Sequence, residues 1–527
     1  MQLTKFSSQL PEMPLIVSPV CRQTARREDE QSEKNQKKYF ASHIFLHRLS
    51  EFQPNQQNYI TRDAPLCQHK KHLYRKKSCS QVMRQSIMIC GLFSFIRSGC
   101  VKEIRAIKGT SDILPPQSYL WQYVERVCRT LCENAGYLEI RTPIFEETAL
   151  FERSIGETTE VVQKQMYTFT TPGGEQITLR PEMTAPTMRA YLENSLHKKG
   201  AFRKFYYIGP SFRYERPQAG RSRQFHQFGA EAIGSKDPLL DAETIILAWN
   251  IAEQCRVPGL SLHLNSIGCA ECRPKYRESI TAEVERYLPS LCEDCQRRAS
   301  RNLFRVLDCK KETCRKIIAK LPPVETSLCL PCKDNFEKVK EIISRHISNW
   351  KPDPHLVRGL DYYTNTVYEL TAKPLGAQDS IGGGGRYDYL IRDLGGPEIP
   401  AVGFALGLDR IILALSKTEA QRAATLQPRI TVFLATVSQN ERDFACNLLI
   451  RLRTSGIAAD MDFEAKSLKA QLRQADKSRA DYVAVIGQEE VQNSFVKLKD
   501  LASGTEERVK TDALTAHISQ LMADKRA

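Results

Sequence analysis

Residues 205–231, FYYIGPSFRYERPQAGRSRQFHQFGAE, most constrain what this chain can fold into. Two runs rich in aromatic and apolar residues flank a loop that holds Pro217, Gly220 and several arginines. Runs bounded in this way read as strands, so the spacing predicts strands over 205–213 and 224–231, paired as a hairpin with charge at its tip. Arg213 and Glu215 lie two apart, which on a pleated strand aims both at one face. An arginine there suits a phosphate and a carboxylate suits the amino group of a purine, on whose ring Phe225 would stack. On this stretch alone, an exposed hairpin with solvated arginines fits equally well.

Other segments narrow the choice. TLRPEMTAPTM (178–188) follows a Pro-Gly-Gly turn and opens a helix with Thr184 near its start. Arg180 and Glu182 in it are costly to bury without partners. LVRGLDYYTNTVYE (356–369) reads as a tyrosine-rich strand, and IGGGGRYDYL (381–390) carries a glycine run that permits close backbone approach. AVGFALGLDRIIL (401–413) reads as a strand running into an amphipathic helix. Upstream, IKGTSDILP (107–115) leads to a helix expected over 118–135 with Gly136 as its C-cap, then to YLEIRTPIF (137–145), an edge strand ending near Pro143.

Taken together, these strings resemble the class II aminoacyl-tRNA synthetases. The hairpin matches motif 2, the 137–145 strand the end of motif 1, and 401–413 motif 3, with Asp409 where many members carry Glu. LVRGLDYY and IGGGGRYDY resemble the two histidine-specific motifs of the histidyl-tRNA synthetase family, over about four fifths of the chain. The resemblance implies a ligase that joins histidine to ATP as histidyl-adenylate and passes the histidyl group to the 3′ end of histidine tRNA. It implies Arg213 and Arg358 as catalytic, flanking the α-phosphate. Glu215, Phe225 and Arg410, with Arg213, are implied for ATP. Glu182, Thr184, Gln227, Glu231, Arg358, Tyr363 and Tyr387 are implied for histidine, and Arg216 and Gln218 for the tRNA acceptor end. Magnesium accompanies ATP, the chain is expected as a cytoplasmic homodimer, and no membrane association is expected. Two rivals of other classes are a histidine-binding regulatory paralogue, which would lack the C-terminal domain and the three arginines, and an RNA-sensing module, which would need an attached effector.

At 527 residues the chain exceeds one ordinary core. The expected fold is α+β: a class II antiparallel sheet with helices, an inserted helical domain and a C-terminal α/β anticodon-binding domain. Its expected boundaries are 101–259 and 356–418 for the catalytic domain, 260–355 for the insertion and 429–527 for the C-terminal domain. The latter is expected to be parallel, with helices over 441–454 and 468–478. Residues 1–100 hold 16 Lys/Arg against 7 Asp/Glu, most of the net charge of +15, and no sustained period. They read as a disordered or over-long extension.

The insertion contains eight cysteines, with no secretory signal to accompany them. Cys269/Cys272, Cys292/Cys295 and Cys329/Cys332 are CxxC pairs, whereas four residues separate Cys309 from Cys314. Such spacing suggests thiolate sites for structural zinc more than disulfides, with unligated thiols as the alternative. The pairing among the four stays open. Any such site is expected to lie far from the reacting phosphate.

Overall fold

The computed structural model describes residues 103–525 apart from 158, 201, 419 and 420; the expectation for 1–100 lies outside the described residues. A helix over Gln117–Asn134 ends where Gly136 takes φ +78°, a left-handed value that ends helices cheaply only at glycine. An eight-stranded sheet follows. Its strands are β1 (Leu138–Glu139), β5 (Arg203–Phe212), β6 (Gln224–Ile233), β7 (Leu260–Ser266), β8 (Trp350–Pro352), β9 (Thr364–Ala372), β10 (Ser380–Arg386) and β11 (Ala401–Gly407). The order across the sheet is β1-β5-β6-β11-β10-β9-β7-β8, antiparallel except for the two outermost pairs. β2 (Phe145–Glu147), β3 (Tyr167–Thr170) and β4 (Gln176–Leu179) make a separate three-stranded sheet.

Period-two alternation on β6 decides where the site sits. Phe228, Ala230 and Ala232 enter a core shared with the helices Gln117–Asn134, Pro238–Gln254, Leu330–His346 and Leu408–Thr418. Phe225, Gln227 and Glu231 therefore face the other side. The β5–β6 register runs unbroken from Arg203 opposite Ile233 to Phe212 opposite Gln224. A one-residue slip would bury the polar set, so the apolar face fixes the register.

Two boundaries differ from the sequence reading. Residues 260–266, placed in the insertion, form β7 within the main sheet, and Phe336, Val339 and Ile343 of the helix Leu330–His346 pack into the main core. The helices Cys272–Tyr287, Glu293–Arg301, Phe304–Leu307 and Glu312–Ile318 pack in a second core that they share with the main sheet through Phe205, Ile233 and Val367.

The C-terminal region is a mixed sheet and not the parallel one expected. β13 (Ala459–Met461), β12 (Val432–Thr436) and β14 (Tyr482–Ile486) are parallel, but β15 (Phe495–Asp500) and β16 (Glu506–Lys510) add an antiparallel hairpin. Val432 and Leu434 face the helices Arg442–Thr454 and Leu514–Asp524, while Phe433 and Ala435 face Leu468–Lys477. Burial on both faces explains the continuous apolar run. Among the described residues, no helix is long and apolar enough to cross a membrane.

Candidate active site

The sheet face opposite the main core carries a cavity of about 610 Å³. Its floor is backbone. On β11, Gly403 lies opposite Glu231 of β6, and a Cβ at 403 would stand 1.9 Å from Glu231 Oε2. On β10, a Cβ at Gly383 would stand 3.0 Å from the Arg358 guanidinium carbon. Glycine at these positions lets both side chains lie against the sheet.

Glu231 is 1% exposed and accepts three hydroxyls: Thr184 Oγ1 at 2.8 Å, Tyr207 Oη at 2.8 Å and Tyr387 Oη. Burial nevertheless outweighs these donors and pushes its carboxyl up to about 8, with nearby Glu182 acting in the same direction. Tyr387 is placed by its neighbour Arg386, whose buried guanidinium pairs with Asp241 and Asp388. Removing one member of such a buried set leaves an uncompensated charge, so the set holds the turn after β10 in one geometry.

Glu182 does a second job. Its two carboxylate oxygens accept the backbone N–H groups of Thr184 (2.7 Å) and Ala185 (2.8 Å), capping the helix Thr184–Glu193. A carboxylate there meets the unpaired donors of a helix N-terminus. Arg180 is buried with partners: Nε donates to Pro210 O at 2.9 Å, and Nη1 to the carbonyls of Thr142 and Pro143. It ties the motif 1 segment to β5.

Two arginines, Arg213 and Arg358, line the cavity. Arg213 donates from Nε to Pro181 O at 2.9 Å and lies 5.3 Å from the centre of the Phe225 ring. Arg358 donates from Nη1 to Glu369 Oε1 at 3.0 Å. Burial opposes ionisation of Glu369, but the Arg358 guanidinium prevails and holds that carboxyl below the usual range. Arg410, on the helix after β11, donates to Ser380 O. The Asp409 carboxylate accepts the His226 backbone N–H at 2.5 Å, locking that helix to the hairpin.

Arg213, Glu215, Phe225, Arg358, Arg410, Glu182, Thr184, Gln227, Glu231, Tyr363 and Tyr387 all line the one cavity. The pleat argument for Arg213 and Glu215 does not hold, because β5 ends at Phe212. Both still reach the cavity: Arg213 N pairs with Arg223 O at 2.9 Å, and Glu215 N folds back onto Arg213 O at 2.8 Å. Arg216 and Gln218 do not line it; they are exposed on the loop, where Gln218 bridges to Arg221.

The family described as histidyl-tRNA synthetase matches residues 109–411, and the anticodon binding domain matches 431–521. The histidine–tRNA ligase of Pelotomaculum thermopropionicum is 46% identical over 80% of this chain and 98% of its own length. The chain belongs to the histidyl-tRNA synthetase family. The histidine–tRNA ligase of Halothermothrix orenii is 44% identical over 80% of this chain and all of its own length. Apo histidyl-tRNA synthetase from S. aureus superposes with a TM-score of 0.67 at 36% identity, covering 79% of this chain and 100% of that one. The fold class and the two-part catalytic and anticodon-binding architecture expected from the motifs follow from these matches.

Sequence reasoning missed Tyr207, Tyr362 and Glu369, and it missed the insertion's share of the cavity. Tyr207 reaches Glu231 because the register sets it opposite Gly229, a pairing no motif displays. Arg297, Arg298, Arg301, Asn302 and Arg305 also line the cavity, so this part of the insertion is not remote from the site as expected. The eight cysteines sort into two groups, Cys269/Cys272/Cys329/Cys332 and Cys292/Cys295/Cys309/Cys314. Within each, every sulfur lies within 4.8 Å of the others. All eight are free thiols.

Proposed function

We infer that the chain performs the reaction its family is named for: it activates histidine with ATP and transfers the histidyl group to the 3′ end of histidine tRNA. The observation that carries this is Glu231, buried under three hydroxyl donors in a cavity walled by Arg213 and Arg358. The histidine carboxylate attacks the α-phosphate of ATP, forming the histidyl-adenylate and releasing pyrophosphate; a ribose hydroxyl of tRNA then takes the histidyl group and AMP leaves. Arg213 and Arg358 hold the phosphate from two sides as charge builds on it. Phe225 and Arg410 sandwich adenine, and Glu215 accepts from its amino group. Glu182, Thr184 and Gln227 hold the amino end of histidine, while Glu231, Tyr363 and Tyr387 close on its ring. A pocket built to pair ring nitrogens rejects analogues that lack the ring N–H, because they bury its polar groups without pairing them. The direct test is formation of histidyl-tRNA from purified chain, ATP, magnesium, histidine and histidine tRNA; no ester product would contradict it.

Magnesium enters with ATP. Asp308 in the cavity lining is an oxygen donor of the kind it takes beside substrate phosphates. The two cysteine groups are proposed to hold structural zinc, whose tetrahedral thiolate sites set sulfurs about 3.8 Å apart. Protein purified without chelator or tag should then contain zinc; less than about 0.2 per chain, with all eight thiols titratable, would refute it.

Homodimer formation is proposed through the motif 1 stretch, where Leu138 on edge strand β1 is 66% exposed and Ile144 and Phe145, at edge strand β2 of the small sheet, are 44 and 55% exposed. An exposed apolar patch at a sheet edge invites a covering partner. Phe145→Glu should shift sedimentation from dimer toward monomer, and a wild-type chain that sediments as a monomer would sink the idea. A reaction on histidine tRNA also fits the cytoplasm.

Arg216 and Gln218, exposed at the hairpin tip, are proposed to meet the tRNA acceptor end. Arg216→Ala and Gln218→Ala should slow transfer severalfold and leave adenylate formation near normal. Equal effects on both steps, or none, would remove them from tRNA recognition.

A further inference from the structure

The inner cysteine group, Cys292/Cys295/Cys309/Cys314, brackets a segment that reaches the reaction cavity. Cys292 and Cys295 flank the start of the helix Glu293–Arg301, Cys309 follows the short helix Phe304–Leu307, and Cys314 sits in Glu312–Ile318. The sulfurs of Cys292 and Cys309 are 3.9 Å apart, and the Cys292 N–H donates to Cys314 Sγ at 3.3 Å. That separation is far beyond a disulfide bond and close to the edge of a zinc tetrathiolate.

The outer group closes the two ends of the insertion on each other: Cys269 Sγ lies 3.6 Å from Cys272 Sγ and 4.0 Å from Cys329 Sγ. The Cys329 N–H donates to Cys272 Sγ at 3.1 Å. Each group supplies four thiols, enough to complete a tetrahedron without borrowing from the other.

Between Cys295 and Cys309 the chain contacts the catalytic loop. Arg305 Nη2 pairs with Asp361 Oδ1 at 2.8 Å and its Nη1 donates to Arg358 O at 3.4 Å. Asn302 Nδ2 donates to the same Asp361 oxygen at 3.2 Å. Arg305 therefore touches the backbone of the residue that faces the reacting phosphate.

We propose that the insertion holds two independent zinc-class tetrathiolate sites, and that the inner one fixes the 296–308 segment so that Arg305 positions the Arg358 loop for histidine activation. This rests on the zinc reading above and deepens it. A metal fixed at both ends of a short segment removes the freedom that would let Arg305 leave Asp361. Arg305 lines the cavity but spends its guanidinium on Asp361 and the Arg358 carbonyl, so we assign it as a positioning residue whose loss should lower kcat more than it raises the histidine KM.

Zinc content and X-ray absorption of the full chain, purified without chelator or tag, test the first half. About two zinc per chain, each with four sulfur neighbours at about 2.3 Å, is expected. Zinc near one per chain overturns the two-site assignment, and less than about 0.2 overturns the zinc reading as well. Arg305→Ala tests the second half separately. It should keep both zinc ions while kcat for histidine-dependent ATP–pyrophosphate exchange falls about tenfold and the histidine KM moves less than about threefold. Cys295→Ser should lose one zinc and show a similar fall, and the double variant should be no worse than either single, as expected when both act through one element. Normal kcat in Arg305→Ala, or additive losses in the double variant, overturns the positioning role whatever the zinc content.

Discussion

Replacing Arg358 by alanine is expected to lower histidine-dependent ATP–pyrophosphate exchange by about 10²-fold or more, the usual cost of losing one preorganised charge at a reacting centre. The guanidinium lies against Gly383 on the sheet floor and is held by Glu369 at 3.0 Å, so it needs no reorganisation when charge builds on the phosphate. The alanine variant also strands the Glu369 carboxylate, which is half-buried. A stability loss from that stranded charge must be separated from the catalytic one. Arg358→Ala/Glu369→Gln removes both partners and should regain thermal stability without regaining exchange. If the double variant, or Arg358→Ala itself, exchanges at close to the normal rate, Arg358 has no part in the chemistry.

Glu231→Gln is expected to raise the histidine KM by about 10- to 10²-fold, because a charge-assisted hydrogen bond to the substrate ring becomes a neutral one. The shape of the pocket is kept: the amide oxygen can accept from Thr184 and Tyr207, while the amide nitrogen takes the place of the oxygen that faces Tyr387. Wild-type histidine affinity should also depend on pH in a way the variant does not. Burial holds the Glu231 carboxyl at about 8, so near neutrality it is mostly protonated until the ligand ring donates to it. Histidine binding then releases a proton, and affinity rises with pH toward 8. Stability moves the opposite way. The folded pKa lies above the unfolded value of about 4.3, so the contribution of this group is fully present below about pH 4 and is lost as pH rises through 8. The loss is on the order of 5 kcal/mol at most. Glu231→Gln should therefore flatten the fall in Tm between pH 5 and 8. A wild-type affinity that is flat from pH 6 to 8, with an unchanged KM in the variant, would detach Glu231 from histidine recognition.

How much of this was legible in the sequence varies with the range of the interaction. The hairpin, the helix after β11 and the capped helix at Thr184 are local: alternation, a terminal glycine and a capping carboxylate within three residues announce them. The set of cavity residues was legible because motifs carry it, even where the stated geometry failed, as for Arg213 and Glu215 beyond the end of β5. Contacts that depend on register or on long loops were not. Tyr207 on Glu231 needs the pairing with Gly229, and Arg305 on Asp361 joins residues that only the folded insertion brings together. The sorting of eight cysteines into two groups is likewise a matter of where helices lie, since each CxxC pair is locally equivalent. The C-terminal sheet was read as parallel because the Phe495–Asp500 and Glu506–Lys510 strands are half polar and carry no buried-strand pattern.

The most direct measurement of the central claim is amino-acid-dependent ATP–pyrophosphate exchange by the full chain with each of the twenty amino acids in turn. Exchange with histidine, and with no other amino acid at a comparable rate, is the expected result. Exchange driven by another amino acid, or none with histidine in the presence of magnesium, would contradict it.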